Sequence, residues 1–364
     1  MSERLQTAEA FHELMELVKG LDASFDTGPA ALSQEADRLD GYVWITSILR
    51  VALDAYLWAD PLRPRFVDIV GPDKKWGGDN ADAFYCLTAV DGRHRYRIRG
   101  RCGDACYLAL TVYGGPRDGS YGAQRTVATL NDRDMTIDED GGFEVWLSAD
   151  PADRKHGDWI ELAPDSLFVI TRDYMNDPVA GTRAVWEIEC LDEIPPPRPD
   201  DAELAARFCA VTRFLADQAS FQPIPMPEPN RVQDPAPARA AFGWNAGDAV
   251  YAMGAFDLAD DEALVLRGRS PECAFWNVCL WNPFLHSYDY RSERVTLNGS
   301  QCAYEPDGSW TLVVGPSDPG HPNWISTAGR RRGLIWFRWF LVEELPKPLD
   351  VTKRRLAEIS GRGA

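Results

Sequence analysis

The chain repeats itself, and this limits what it can fold into more than any single motif does. Tyr85, Ala89 and Asp91 recur as Tyr251, Ala255 and Asp257, and Arg99-Gly100-Arg101 recurs as Arg267-Gly268-Arg269. Ser120-Tyr121 and the later Thr129-Leu130-Asn131 return as Ser287-Tyr288 and Thr296-Leu297-Asn298. Asp140-Gly141, Asp150-Pro151, Trp159-Ile160 and Arg172 match Asp307-Gly308, Asp318-Pro319, Trp324-Ile325 and Arg338. The order is kept and the separation stays between 165 and 168 residues, as expected of a duplicated structural unit. Residues 85–174 and 251–340 are therefore two diverged copies of one unit.

Both copies have the texture of antiparallel β structure. Short runs rich in Val, Ile, Tyr, Phe and Thr alternate with turn pairs such as Asp91-Gly92, Gly103-Asp104, Asn131-Asp132 and Gly141-Gly142, which punctuate strands. Helical spacing is confined to residues 7–26, 33–58 and 200–217. The run from Gln222 to Pro229, with proline at every second position, predicts a stiff spacer. The expected fold is mainly β with flanking helices, built on two homologous antiparallel β-sandwich units. Its segments are N-terminal helices (1–65), a first unit (66–195), a helix and proline-rich linker (196–240), a second unit (241–345) and a C-terminal tail (346–364).

Phe275-Trp276-Asn277-Val278, the segment Asn282 to Arg291, Asp307-Gly308, Asp318-Pro319-Gly320-His321-Pro322-Asn323-Trp324 and the closing Gly333…Arg338 resemble an uncharacterised bacterial family, domain of unknown function 1214. The first copy resembles it more faintly. The resemblance implies a β-sandwich and carries no activity.

Composition excludes several classes of function. With 38 Lys and Arg against 56 Asp and Glu, the net charge is -18, the wrong sign for a nucleic-acid partner. The basic cluster Arg330-Arg331-Arg332 lies between two expected strands. No apolar run reaches the length of a membrane-spanning helix, and the N-terminus lacks a secretory pattern. The eight cysteines include Cys86, Cys190 and Cys279 within strand-like runs, as buried free thiols do. Cys102 and Cys106 lack a second pair at metal-site spacing. A cytoplasmic, disulfide-free protein without a cofactor or catalytic metal is expected. The 13 tryptophans exceed ordinary usage. Most are expected in the core, the rest lining an aromatic pocket, and exposed aromatics would allow a homodimer.

Recognised catalytic signatures are absent: there is no GxSxG, Walker loop, GxGxxG or HExxH. Duplication supplies a sorting rule in their place. Features kept in both copies serve the scaffold, and features of one copy are candidates for function, unless a pseudo-symmetric site uses both. His286, Tyr290 and Arg291 lie on a loop whose counterpart, Gly115 to Ser120, has no histidine; they could supply an acid/base and an anion clamp. Asp79, Asn80 and Asp82 precede the first strand of copy one beside Tyr85, and Trp244-Asn245 and Asp248 stand at the corresponding place. Asp173 and Tyr174 follow the shared Arg172 and differ from Trp339-Phe340 after Arg338; Asp173 is a candidate general base and Tyr174 a substrate-orienting group. His321 precedes Asn323-Trp324, as His156 precedes Asp158-Trp159, and a turn cap is the simpler role.

These residues imply a small-molecule site in a cleft between the units. His286, Asp173, Tyr174 and Tyr290 are the catalytic candidates. Asp79, Asn80, Asp82, Tyr85, Arg291, His321 and Arg338 are the substrate-binding ones. Acid/base hydrolase or lyase chemistry on a glycan or an apolar terpenoid- or steroid-like compound would suit them. The alternative is a non-catalytic binding or scaffold protein with an aromatic-lined cleft.

Overall fold

The computed structural model describes residues 4–28, 30–198, 200–238 and 246–359. Trp244 and Asn245 lie outside the described residues. Each copy folds into two sheets packed face to face. In the first unit the strands are β1 (Val67–Val70), β2 (Ala83–Ala89), β3 (Tyr96–Arg101), β4 (Ala105–Gly114), β5 (Arg125–Asn131), β6 (Gly142–Ser148), β7 (Asp158–Glu161), β8 (Ser166–Met175) and β9 (Val185–Cys190). They form a sheet of order β1-β2-β8-β4-β5 and another of order β7-β6-β3-β9.

The second unit repeats this plan. Its strands are β10 (Arg231–Val232), β11 (Ala236–Pro237), β12 (Ala249–Asp257), β13 (Glu262–Gly268), β14 (Phe275–Trp281), β15 (Thr296–Asn298), β16 (Trp310–Gly315), β17 (Trp324–Ser326), β18 (Arg332–Phe340) and β19 (Asp350–Arg355). Their orders are β10-β12-β18-β14-β15, with β11 also on β12, and β17-β16-β13-β19. Pairing is antiparallel except for β6 with β7 and β16 with β17. In the first unit a short 3₁₀ crossing, Pro151–His156, brings the chain back parallel.

Alternation along the strands builds each core. Tyr96, Ile98, Leu108, Leu110, Val112, Val145, Leu147 and Val169 fill the first sandwich. Val278, Leu280, Leu312, Val314, Ile335, Phe337 and Trp339 fill the second. In each case one face of the larger sheet is left over, and its occupants position the candidate site.

Helices cover part of that face in the first unit. α1 (Gln6–Gly20), α2 (Glu35–Ala52) and α3 (Asp201–Phe221) bury Leu14, Trp44, Ile48, Val51, Val211, Phe214 and Leu215 together with Leu87, Phe168 and Ile170 of the sheet. Asp200 caps α3 by accepting from the Ala202 and Glu203 amides, which satisfies donors the helix itself cannot.

Two segment expectations are corrected. The 196–240 linker does not merely space the units: beyond its proline-rich run, β10 and β11 add to the edge of β12, and Asn230 exchanges two hydrogen bonds with the backbone of Asp257. Nor are residues 346–364 only a tail, because β19 pairs with β13 and completes the smaller sheet. Its Lys353-Arg354-Arg355 run has the charge of a protected edge strand, which hides the strand pattern in the sequence.

Candidate functional site: the layer between the two β units

The leftover faces of the two larger sheets turn toward each other. On β8 this face carries Arg172 and Tyr174, and on β18 it carries Trp336, Arg338 and Phe340. At one end the faces touch: the Phe340 ring lies 4.5 Å from Tyr174 and 4.8 Å from Tyr107, and Phe275 lies 5.0 Å from Tyr174. Reciprocal polar contacts tie the units there. Asn298 of the second unit donates to Asp82 of the first at 3.0 Å, and Asn131 of the first donates to Asp248 of the second at 3.1 Å. Asp82 also accepts from Asn277 at 2.7 Å and Thr296 at 3.4 Å, and burial still pushes its carboxyl up.

Register sets a matched pair of arginines in this layer. Tyr85 is opposite Arg172 in the β2–β8 ladder, and Tyr251 is opposite Arg338 in the β12–β18 ladder. Both guanidiniums are buried, at 5% and 3% exposure. Burial opposes the charge of Arg338 and the oxygens of Tyr174 and Tyr85 around it favour it; a guanidinium does not deprotonate in a protein, so the group remains a cation. Burial likewise pushes the Tyr85 hydroxyl far up, and the Tyr174 oxygen bonded to it at 2.9 Å adds to the effect.

The two arginines differ in their acceptors. Arg172 donates to Thr111 Oγ1 at 3.1 Å and Tyr113 Oη at 2.7 Å. In the ladders, Ala109 faces Arg172 and Asn277 faces Arg338. Counting two and four residues onward, Thr111 and Tyr113 correspond to Cys279 and Trp281. A thiol accepts weakly and an indole not at all. Among the described residues Arg338 therefore donates only to the Gly78 carbonyl, at 3.2 Å, and it lies over the Trp281 ring at 5.3 Å. Its Nε is buried without a partner. Trp336 Nε1, on the same face of β18, is a second buried donor without one. Trp336, Tyr85 and Tyr251 keep partial exposure although all three look into this layer.

The 76–82 loop straps this layer to a second feature, a cleft of about 620 Å³ beside α2 lined by Lys75, His286, Ser287, Tyr288, Arg291 and others. Gly78 adopts φ 83°, and a Cβ there would stand 2.7 Å from the Trp281 ring, so only glycine fits without displacing the indole. Asp79 accepts from the Ser287 amide at 2.7 Å and the Ser287 hydroxyl at 2.5 Å. Lys75 Nζ donates to that hydroxyl at 2.7 Å and to the carbonyls of Ser287 and Tyr288, and it sits 4.9 Å above the Tyr290 ring. Its three donors are thus occupied. His286 is 3% exposed with Nε2 unpartnered. Burial pushes its imidazole down to about 4, with Asp79 opposing and Lys75 adding to that shift.

The expected site residues fall into separate groups. Tyr85, Tyr174 and Arg338 meet in the inter-unit layer, and Asn80 and Asp82 border it through Asn277. Asp79, His286, Tyr290 and Arg291 belong to the α2 cleft, where Arg291 is exposed and paired with Asp73 and Asp289. Asp173 is not brought to either group. Strand alternation turns it to the opposite face of β8 from Tyr174, where it accepts from the Ala184 amide, and burial pushes its carboxyl up to about 6. His321 sits in the β16–β17 turn, its Nδ1 accepting from the Asn323 amide, while Asn323 donates to the carbonyls of Ala303 and Thr311. Sequence reasoning missed Tyr251, Trp281, Trp336 and Cys279 in the layer and Lys75 and Ser287 in the cleft, and it placed Arg172 with the scaffold. The matched Tyr85/Arg172 and Tyr251/Arg338 pairs were the available signal.

Comparison with known proteins agrees with the duplication. No curated protein matches the sequence. An uncharacterized protein from Burkholderia cenocepacia has a similar crystal structure, with a TM-score of 0.84 and 29% identity over 96% of this chain and 98% of that one. A Vibrio parahaemolyticus protein shares the fold at a TM-score of 0.51 and 12% identity, over 85% of this chain and 98% of that one. The family described as "Protein of unknown function (DUF1214)" matches twice, at residues 87–178 and 255–343. Those two segments lie inside the two β units just described, which extend beyond them at β1, β9 and β19, and both segments belong to that family.

Proposed function

We propose that the protein binds a small organic acid between its two β units, with Arg338 receiving the acidic group. One observation carries this reading: Arg338 is a buried cation with an unsatisfied Nε and no carboxylate at ion-pair distance among the described residues. An uncompensated buried charge costs several kcal/mol, and a bound oxyanion would remove that cost. The orphaned Trp336 Nε1 supplies a second donor to the same acceptor. Tyr85, Tyr251 and Trp336 offer partly exposed apolar ring surface, so the remainder of the ligand is aromatic or alicyclic. The acidic composition and eight free thiols support a cytoplasmic setting without a nucleic-acid partner.

Titration of the full chain with benzoate, indole-3-acetate and cyclohexanecarboxylate, each against its neutral amide, tests this reading. Acids should raise the melting temperature and quench tryptophan fluorescence, and the amides should do neither. Arg338→Met should weaken binding about 100-fold, the loss expected for a desolvated charge-assisted pair, without lowering stability. Equal binding by Arg338→Met, or no acid binding at all, overturns the reading.

A second reading, acid/base hydrolase or lyase catalysis, is favoured by His286. A neutral imidazole with a buried, unpartnered Nε2 borders the α2 cleft next to Ser287, whose hydroxyl is already bonded to Asp79. Turnover abolished by His286→Ala, with the melting temperature kept, supports it; wild-type turnover by that variant removes it.

A further inference from the structure

We propose that His94, Cys190 and Asp192 form a binding site for one Zn²⁺ ion at the edge of the first β unit. His94 precedes β3, Cys190 ends β9 and Asp192 follows two residues later. The β3–β9 ladder places Cys190 opposite Tyr96, and the Leu191 amide donates to the Arg95 carbonyl at 2.8 Å. This register brings the three side chains to one corner of the sheet. An imidazole nitrogen, the thiol Sγ and a carboxylate oxygen all lie within 4.8 Å of one another, and all three residues are half-buried.

The donor set fits the ion. Zinc takes nitrogen, sulfur and oxygen ligands at about 2.0–2.3 Å in tetrahedral geometry, so its ligand atoms stand about 3.3–3.7 Å apart. The His94 Nδ1 to Asp192 Oδ2 contact of 2.8 Å would open slightly and the thiol would move in, which are side-chain rotations. Binding exchanges the thiol proton for the metal, leaving a thiolate ligand. Asp60 contributes further negative charge near Cys190, and water completes the four-coordinate shell.

The second unit provides an internal control. There the Leu356 amide donates to the Asp261 carbonyl at 2.9 Å, the same bond as Leu191 to Arg95. That equivalence puts Arg355 in the place of Cys190 and Asp260 in the place of His94. At this edge Arg355 pairs with Asp261, a cation already occupying the corner. The scaffold therefore does not require these three donors, since the sister sheet closes without them. Their convergence in one copy is a local addition.

The experiment uses full-length protein reduced, stripped with chelator and titrated with Zn²⁺ and with Co²⁺. Wild type should retain close to one Zn²⁺ per chain after gel filtration, and its Co²⁺ form should show a thiolate-to-metal absorption band in the near ultraviolet. Cys190→Ser should abolish that band and weaken Zn²⁺ binding at least 100-fold, and His94→Ala should weaken it similarly. Cys86→Ser, which alters a thiol outside the cluster, should change neither. Retention of far less than one Zn²⁺ by wild type, or an unchanged band in Cys190→Ser, overturns the assignment.

Discussion

The two arginines of the inter-unit layer occupy one place in two copies of one fold, yet their surroundings have diverged. Arg172 keeps the hydroxyls of Thr111 and Tyr113 as acceptors. Arg338 faces Cys279 and Trp281 at the equivalent positions and is left with the Gly78 carbonyl. Two arginines at one place in the fold thus differ by two neighbours on an adjacent strand. Buried guanidiniums persist when their donors are used, so the unpartnered Nε of Arg338 sets it apart.

The reciprocal carboxylates give the comparison its largest expected effect. Asp82 is 1% exposed and serves three side-chain donors, whereas Asp248 is half-buried and serves Tyr107 and Asn131. Asp82→Ala should cost about 4 kcal/mol in urea unfolding, because it removes the buried acceptor shared by Asn277, Asn298 and Thr296 and leaves the two amides only Asn80 and the Asn176 carbonyl. Asp248→Ala should cost about 2 kcal/mol on the same principle. Equal losses would show that the layer is energetically symmetric despite its divergence.

The two candidate titrating groups, His286 and Asp173, should respond to pH with opposite sign. The His286 imidazole falls from an ordinary 6.5 to about 4 in the folded protein. Between these values the unfolded chain binds the extra proton, so stability is full above pH 6.5 and is lost as pH falls toward 4, by about 3 kcal/mol. Asp173 rises from 3.8 to about 6, so here the folded state holds the extra proton. Its contribution is full below pH 3.8 and is lost as pH rises through 6, by about 3 kcal/mol. Unfolding curves from pH 4 to 7 for His286→Asn and Asp173→Asn should diverge from wild type in opposite directions. Parallel curves would remove the environmental contrast between the α2 cleft and the β8 face.

The smallest effect tests the comparison most directly. Cys279→Thr restores a copy-one acceptor beside Arg338. It should raise stability by about 1 kcal/mol, the worth of a net hydrogen bond, and weaken acid binding several-fold by occupying a donor. Thr111→Cys should lower stability by a similar ~1 kcal/mol through the reverse change. If Cys279→Thr leaves both stability and binding unchanged, the missing acceptors are not what distinguishes Arg338.

The sequence by itself determined the duplication, the strand-rich texture and the family likeness, because period-two alternation and turn residues are local properties that survive divergence. It also placed Tyr85, Tyr174 and Arg338 among the candidates. Tertiary structure alone decided which of them meet. Alternation turns Asp173 away from Tyr174 although the two are adjacent in the chain, and register brings Arg338 to the Gly78 carbonyl and to Trp281. The rule that shared residues belong to the scaffold did not show that Arg172 and Arg338 face one common layer, because that follows from two copies packed about a pseudo-twofold. The lone Cys190 and His94 carried no motif spacing, since the strands that join them are 98 residues apart at the His94–Asp192 contact. Long-range pairing, not local pattern, sets such neighbours, and a single sequence does not encode it legibly.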